Sequence, residues 1–225
     1  MIRLYATTIP LSRSDDPAAR KETTKLLHSA AWSLLAVSLH RLYPDLFPGS
    51  TADSLPAVSK GEHGKPAFAD TSLPGFSLSH SGRAAVCALS DRGPVGVDVQ
   101  EHREIRGVSD IDGIAARFFH PLEQELLSSE KDPAMRRRLF FTIFSCKEAC
   151  VKMTGQGMSE DFREFYTVFD ENGRPDRILD GKTGRIIGCP VLTDLQMQDA
   201  YGAYTLVSCS QEPAGVSGPE HIRVM

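Results

Sequence analysis

The sequence predicts an α+β fold of two similar lobes in pseudo-two-fold arrangement, each a small antiparallel sheet packed with helices. Three observations lead there. A long run with helical periodicity occurs once in each half, near residues 17–43 and 133–154. Short β-branched runs bounded by Gly, Pro and Asp follow each of them. The 225 residues, 41% hydrophobic and 24% charged, supply a sizeable core but are few for two independent domains. The lobes divide near residue 94, giving 1–94 and 95–225, with no internal sequence repeat to mark them.

"RLYATTI" at the start reads as a strand. Asp16 and Pro17 offer an N-cap and a first-turn proline to an amphipathic helix carrying Leu26, Leu27, Ala30, Ala31, Leu34 and Leu35, which ends near Tyr43-Pro44. Residues 44–75, rich in Pro, Gly, Ser and Asp, read as irregular backbone with one short strand at most. "GFSLSHS", "AAVCALS" and "PVGVDVQ" then read as an antiparallel meander, separated by Gly-Arg and Asp-Arg-Gly-Pro turns.

"DIDGIAARFF" is weakly helical, and a helix restarts with Pro121 at its first position. The helix at 133–154 starts at Pro133 and stops before Gly155, a natural C′ residue. "FREFYTVFD", "DRILD", "GRIIGCPVL" and "AYGAYTLVSCS" are further strands, and the last dozen residues are expected to fray.

A formal charge of -4 lacks the basic footprint of a nucleic-acid-binding domain, so no nucleic-acid partner is expected. Cys87, Cys146, Cys150, Cys189 and Cys209 are odd in number, lack CxxC spacing and sit mostly in apolar runs, which suits reduced, buried thiols. No apolar window approaches the roughly 20 residues that span a bilayer. A cytoplasmic protein without membrane contact is the expectation.

The chemistry concentrates in "FTIFSCKEACVKMTGQG", residues 141–157, where Lys147, Glu148 and Lys152 interrupt an apolar helix. Ser145, Glu148 and Lys152 stand at i, i+3 and i+7 on one stripe, while Lys147 is rotated about 100° from Glu148. An exposed Glu148–Lys152 pair would contribute only about 0.2–0.5 kcal/mol. Beside that solvated pair stands a second reading, left open by these residues alone: in a wall this apolar, Glu148 could hold a hard metal, which Mg²⁺ suits, and Lys152 could meet phosphate oxygens.

In "GVDVQ", period two puts Val97 and Val99 on one face and Gly96, Asp98 and Gln100 on the other, so a carboxylate and an amide oxygen converge. "SLSHSG" ends a strand with Ser79, His80 and Ser81, where hydroxyls, imidazole and backbone N–H groups would meet an anion. Lys65 sits beside a rigid proline in "GKP". A serine hydrolase is disfavoured: neighbouring strand residues point to opposite faces, and no G-x-S-x-G elbow occurs.

Read in order, "GKPAF", "FSLSHSG", "VGVDVQ", "RFFHPLE" and "FSCKEACVK" resemble the successive motifs of surfactin-type 4′-phosphopantetheinyl transferases. The resemblance runs from about residue 61 to 158, and its most specific part is a G-[VI]-D strand followed about fifty residues later by [FW]-S-x-K-E-[AS]-x-x-K. It implies a pseudo-two-fold α+β chain binding coenzyme A between its lobes. The implied reaction moves the 4′-phosphopantetheine arm to a serine of an apo acyl or peptidyl carrier protein, releasing 3′,5′-ADP.

By resemblance, Lys65, Ser79 and His80 would contact the coenzyme A phosphates, His80 the 3′-phosphate. Asp98, Gln100 and Glu148 would surround Mg²⁺, and Lys152 would meet the pyrophosphate. Gln100 departs from an acidic residue frequent in the family, so either its amide oxygen or water fills that position. Either Glu148 or Glu123 would take the carrier serine's proton, and Lys152 would stabilise or protonate the leaving phosphate. Arg136, Arg137 and Arg138 would steer an acidic carrier. A monomer is the expected state, and a non-catalytic coenzyme A binding protein is the alternative function.

Overall fold

A computed structural model describes residues 1–10, 16–102, 111–157, 161–195 and 202–224. The first half contains β1 (Ile2–Thr8), α1 (Pro17–Leu42), β2 (Val58–Lys60), β3 (Pro66–Phe68), β4 (Gly75–Ser81) and β5 (Ala84–Ser90). After β6 (Val95–Glu101) come α2 (Ile111–Phe118), α3 (Pro121–Ser129) and α4 (Pro133–Thr154). The chain finishes with β7 (Phe165–Phe169), β8 (Pro175–Asp180), β9 (Ile186–Thr193), β10 (Tyr204–Ser210) and β11 (Val216–His221). The fold class is α+β, as the sequence predicts.

Two sheets carry the fold, in the orders β11-β1-β5-β4 and β6-β10-β9-β8-β7, beside the small β2-β3 hairpin. Period-two alternation turns Ile2, Leu4, Ala6, Val86 and Ala88 of the first sheet onto Val95, Val97, Val99 and Leu206 of the second. On the outer faces, Leu34, Leu35 and Leu39 of α1 cover Tyr5, Cys87 and Leu89, while Cys146, Ala149, Cys150 and Met153 of α4 cover Val207 and Cys209. α1 buries one stripe against its sheet, whereas α4 is buried on most sides from Phe140 to Met153, against the sheet and against α2 and α3. All five cysteines are free and buried in this packing.

The long helices begin and end on local chemistry. Asp16 Oδ1 accepts from Ala18 N at the start of α1. Asp132 Oδ1 accepts from Ala134 N and Met135 N ahead of Pro133 in α4. Gly155 closes α4 at φ 76°, a left-handed conformation natural to glycine.

Four expectations require correction. β6 does not continue the β4–β5 meander: both edges of β5 are taken, by β1 and β4, and β6 instead pairs antiparallel with β10. The chain end is not frayed, because β11 pairs with β1 and so returns to the sheet of the first half. That pairing is parallel, so this sheet is not purely antiparallel. The loop after α1 holds two short strands, β2 and β3, rather than one.

The edge strands β4 and β6 meet without a backbone ladder. Ser77, Ser79 and Ser81, successive residues of one face of β4, accept instead from Val97 N (3.0 Å), Val99 N (3.3 Å) and Glu101 N (3.0 Å). Hydroxyls at a period of two thus satisfy the N–H groups of an edge that would otherwise be buried unpaired.

Candidate functional site

The site forms where α4 crosses β6. Gly96 makes the crossing possible: a Cβ there would lie 1.8 Å from Ala149 O, so only glycine admits the helix this close. Two residues further along the same strand face, Asp98 reaches the last turns of α4. Lys152 Nζ lies 2.7 Å from Asp98 Oδ1 and 3.0 Å from Ser79 Oγ, which itself donates to Asp98 Oδ1 at 3.0 Å. Gln100 Nε2 donates to Asp98 Oδ2 at 3.0 Å.

Glu148 stands one turn before Lys152, half-buried, with no hydrogen bond or ion pair among the described residues. Burial pushes its carboxyl above the ordinary range; Lys152 opposes that and the Asp98 charge adds to it. One turn earlier on the same stripe, Ser145 Oγ is buried and unpartnered among the described residues. Two mutually repelling carboxylates with an amide side chain beside them form a hard-oxygen set; Asp98 Oδ1 is filled by Lys152 and Ser79, but Asp98 Oδ2 and the Glu148 oxygens retain lone pairs. This donor set fits Mg²⁺, which accepts one or two carboxylates and completes its shell with substrate oxygens and water.

His80, on the opposite face of β4 from Ser79, is partly buried, and burial lowers its pKa, with charge from His28 and Lys152 lowering it further and Asp98 raising it. A cavity of about 270 Å³ opens beside these groups, lined by His63, Lys65, Glu148, Val151, Lys152 and Gly155. A larger one of about 890 Å³ shares Lys65, Pro66, Phe76 and Gly155 with it.

Lys65 occupies the junction of the two cavities, but its ammonium is engaged: it donates to Met153 O (2.8 Å), in the last turn of α4, and to Val95 O (3.4 Å). Burial lowers its pKa. The lysine ties the Gly-Lys-Pro loop to the end of the helix, where its charge also complements the helix dipole.

Glu123 is placed apart from the cluster. It is 1% exposed and pairs at 2.8 Å with Lys147, whose side chain is fully buried. Its other bonds come from His120 N and Thr167 N. Lys147 also donates to Phe162 O (2.7 Å) and Phe165 O (2.6 Å) and lies 4.4 Å from the Phe165 ring. Burial raises the pKa of Glu123, and three hydrogen bonds oppose that rise. This pair pins α3, α4 and the approach to β7 together. The 100° rotation of Lys147 from Glu148 was the sequence signal that it faces another environment. His63, two residues before Lys65, has no signal of its own in the sequence.

The geometry is thus that of a cavity at the junction of two sheets, lined by Glu148, Lys65 and Lys152, with Asp98 buried behind Lys152. A model of the 4′-phosphopantetheinyl transferase superfamily matches residues 94–195, a span that includes β6, α4 and the residues Asp98, Gln100, Glu148 and Lys152, while Lys65, Ser79 and His80 precede it. Among curated relatives, 4′-phosphopantetheinyl transferase psf-1 of Bacillus pumilus is 34% identical over 166 residues, 72% of this chain and 63% of the relative. A Bacillus subtilis 4′-phosphopantetheinyl transferase is 31% identical over 160 residues, 71% of this chain and 65% of the relative. HetI, a 4′-phosphopantetheinyl transferase of a Nostoc species, is 40% identical over 93 residues, 41% of this chain and 37% of the relative. The chain therefore spans less than two thirds of the length of these relatives. Over residues 94–195 it thus matches the 4′-phosphopantetheinyl transferase superfamily, and it is similar to surfactin-type members of that group.

Proposed function

We propose that this protein transfers the 4′-phosphopantetheine arm of coenzyme A to a serine of an apo acyl or peptidyl carrier protein, releasing 3′,5′-ADP. The observation that carries this reading is that Glu148 and Lys152 line one cavity while Asp98, buried, holds Lys152 from behind, all three within the span that matches the family. The pair of cavities meeting at Lys65 suits a long, segmented cofactor held in the cleft between residues 1–94 and 95–225.

Asp98, Glu148 and the Gln100 amide oxygen would hold Mg²⁺, which when bound neutralises charge on the pyrophosphate. Lys152 lies against Asp98 and meets the phosphate that leaves, stabilising it as negative charge develops. His80 binds the 3′-phosphate. The carrier serine attacks the β-phosphorus, and Glu148 takes its proton, directly or through water. Glu148 is the better base than Glu123, whose two oxygens are already bonded inside a sealed pair. Arg137 and Arg138 at the start of α4 steer an acidic carrier, whereas Arg136 is held by Asp112 and Leu127 O.

Incubation with coenzyme A, Mg²⁺ and an apo-carrier, followed by intact mass of the carrier, tests the reading. A gain of about 340 Da is expected, the mass of one phosphopantetheine arm. Binding of coenzyme A without any gain in carrier mass would identify a non-catalytic coenzyme A binding protein instead.

A further inference from the structure

The hydroxyl of Ser79, the middle rung between β4 and β6, is fully occupied. It accepts from Val99 N (3.3 Å) and Lys152 Nζ (3.0 Å) and donates to Asp98 Oδ1 (3.0 Å). A serine hydroxyl offers one donor and two acceptor positions, and all three are taken. At 6% exposure, the residue has no capacity left for a phosphate oxygen.

Ser77, on the preceding rung, shows what the ladder alone requires: its hydroxyl accepts from Val97 N and reaches neither Asp98 nor Lys152. Ser79 therefore does two things. One joins the sheets, as Ser77 does. The other concerns the lysine: an ammonium is tetrahedral, so fixing two of its N–H bonds, on Ser79 Oγ and Asp98 Oδ1, fixes the direction of the third. Among the described residues that third N–H has no partner.

We propose that Ser79 is a positioning residue, which aims the remaining N–H of Lys152 at the phosphate, and that it is not itself a contact to the cofactor. This rests on the functional reading above. It replaces the role that the motif resemblance implies for Ser79. Because the aim of Lys152 matters while charge develops on the leaving phosphate, its loss falls on the chemical step rather than on ground-state binding.

The test compares Ser79→Ala, Ser79→Thr and Ser77→Ala with wild type. It measures carrier modification rates, the Kd of coenzyme A by calorimetry without carrier, and the melting temperature. Ser79→Ala is expected to lower kcat about tenfold or more, equivalent to about 1.4 kcal/mol of barrier, with the coenzyme A Kd within about twofold of wild type. Ser79→Thr, which keeps the hydroxyl, should recover most of the rate. Ser77→Ala should lose melting temperature comparably to Ser79→Ala but keep its rate within about twofold. Should Ser79→Ala not fold, Ser79→Cys fills the same space with a weak hydrogen-bonding group and should show the same loss of kcat. A tenfold rise in Kd at unchanged kcat would make Ser79 a direct cofactor contact, and an equal loss of rate in Ser77→Ala would make the ladder purely structural. Either result overturns the proposal. Absence of carrier modification by wild type would overturn the functional reading itself, and the proposal with it.

Discussion

Lys152 Nζ lies 2.7 Å from Asp98 Oδ1, the lysine 29% exposed and the aspartate 2% by side chain. The pair bridges the end of α4 and the middle of β6, with the charge of the lysine nearer solvent than that of its partner. A cation so held is anchored on the protein side and accessible on the other. Glu148, one turn away, has a charge without such an anchor, and this contrast yields the first expectation.

Glu148→Gln should raise stability at neutral pH while removing function. The folded protein holds the Glu148 proton more tightly than the unfolded chain, because burial raises its pKa. Stability contributed by the protonated form is therefore lost as pH rises from the unfolded carboxyl value of about 4.3 through the folded one. The variant has no charge to bury, so its melting temperature should exceed that of wild type at pH 7.5 by a few degrees, at about 2–4 °C per kcal/mol. The two should converge near pH 4. A variant less stable than wild type at pH 7.5 contradicts the placement of Glu148.

Gln100→Glu exchanges a hydrogen-bond donor to Asp98 Oδ2 for a third carboxylate. Without metal, repulsion should lower the melting temperature. Added Mg²⁺ should raise it more in the variant than in wild type, because a ligand bound to the folded state alone stabilises by mass action. The Mg²⁺ concentration giving half-maximal rate should also fall. Equal Mg²⁺ responses in both proteins would remove Gln100 from the metal's surroundings.

Much of this geometry was legible in the sequence. Period two alone placed Val97 and Val99 in the core and Asp98 and Gln100 opposite them, and helical spacing put Glu148 and Lys152 on one stripe; both hold. Pro133 and Gly155 bounded α4 correctly because caps act locally. What the sequence concealed was long-range pairing. "VSGPEH" has the glycine and proline of a loop, and only the free edge of β1 makes it a strand. The Ser-x-Ser-x-Ser pattern of β4 was visible, but its meaning depends on β6 arriving from another sheet. Lys147 and Glu123 likewise became a pair only through tertiary packing.

That buried pair leads to a stability prediction. Lys147→Met or Glu123→Gln leaves the other partner buried without its counter-charge, and each should destabilise by about 3–5 kcal/mol in urea unfolding. The double variant should lose clearly less than the sum of the two, since neither charge is then stranded. Strictly additive losses would show that the two residues do not interact.

His80→Ala should act on cofactor binding. A contact to the 3′-phosphate persists from ground state to transition state, so its loss appears in KM with kcat nearly unchanged. A charge-assisted hydrogen bond of about 1.5–3 kcal/mol corresponds to roughly a ten- to hundredfold rise in KM for coenzyme A. Dephospho-coenzyme A should be poorer for wild type but scarcely worse for the variant. If the variant discriminates the two cofactors as strongly as wild type, His80 is not the contact.

The central claim is that Asp98 and Glu148 form the reaction centre of a phosphopantetheinyl transfer, and the most direct measurement is the intact mass of an apo-carrier after incubation with coenzyme A, Mg²⁺ and each of three proteins. Wild type should convert the carrier to a species about 340 Da heavier, while folded Asp98→Ala and Glu148→Gln should leave it at its starting mass. Carrier modified at a near-normal rate by either folded variant would contradict the claim.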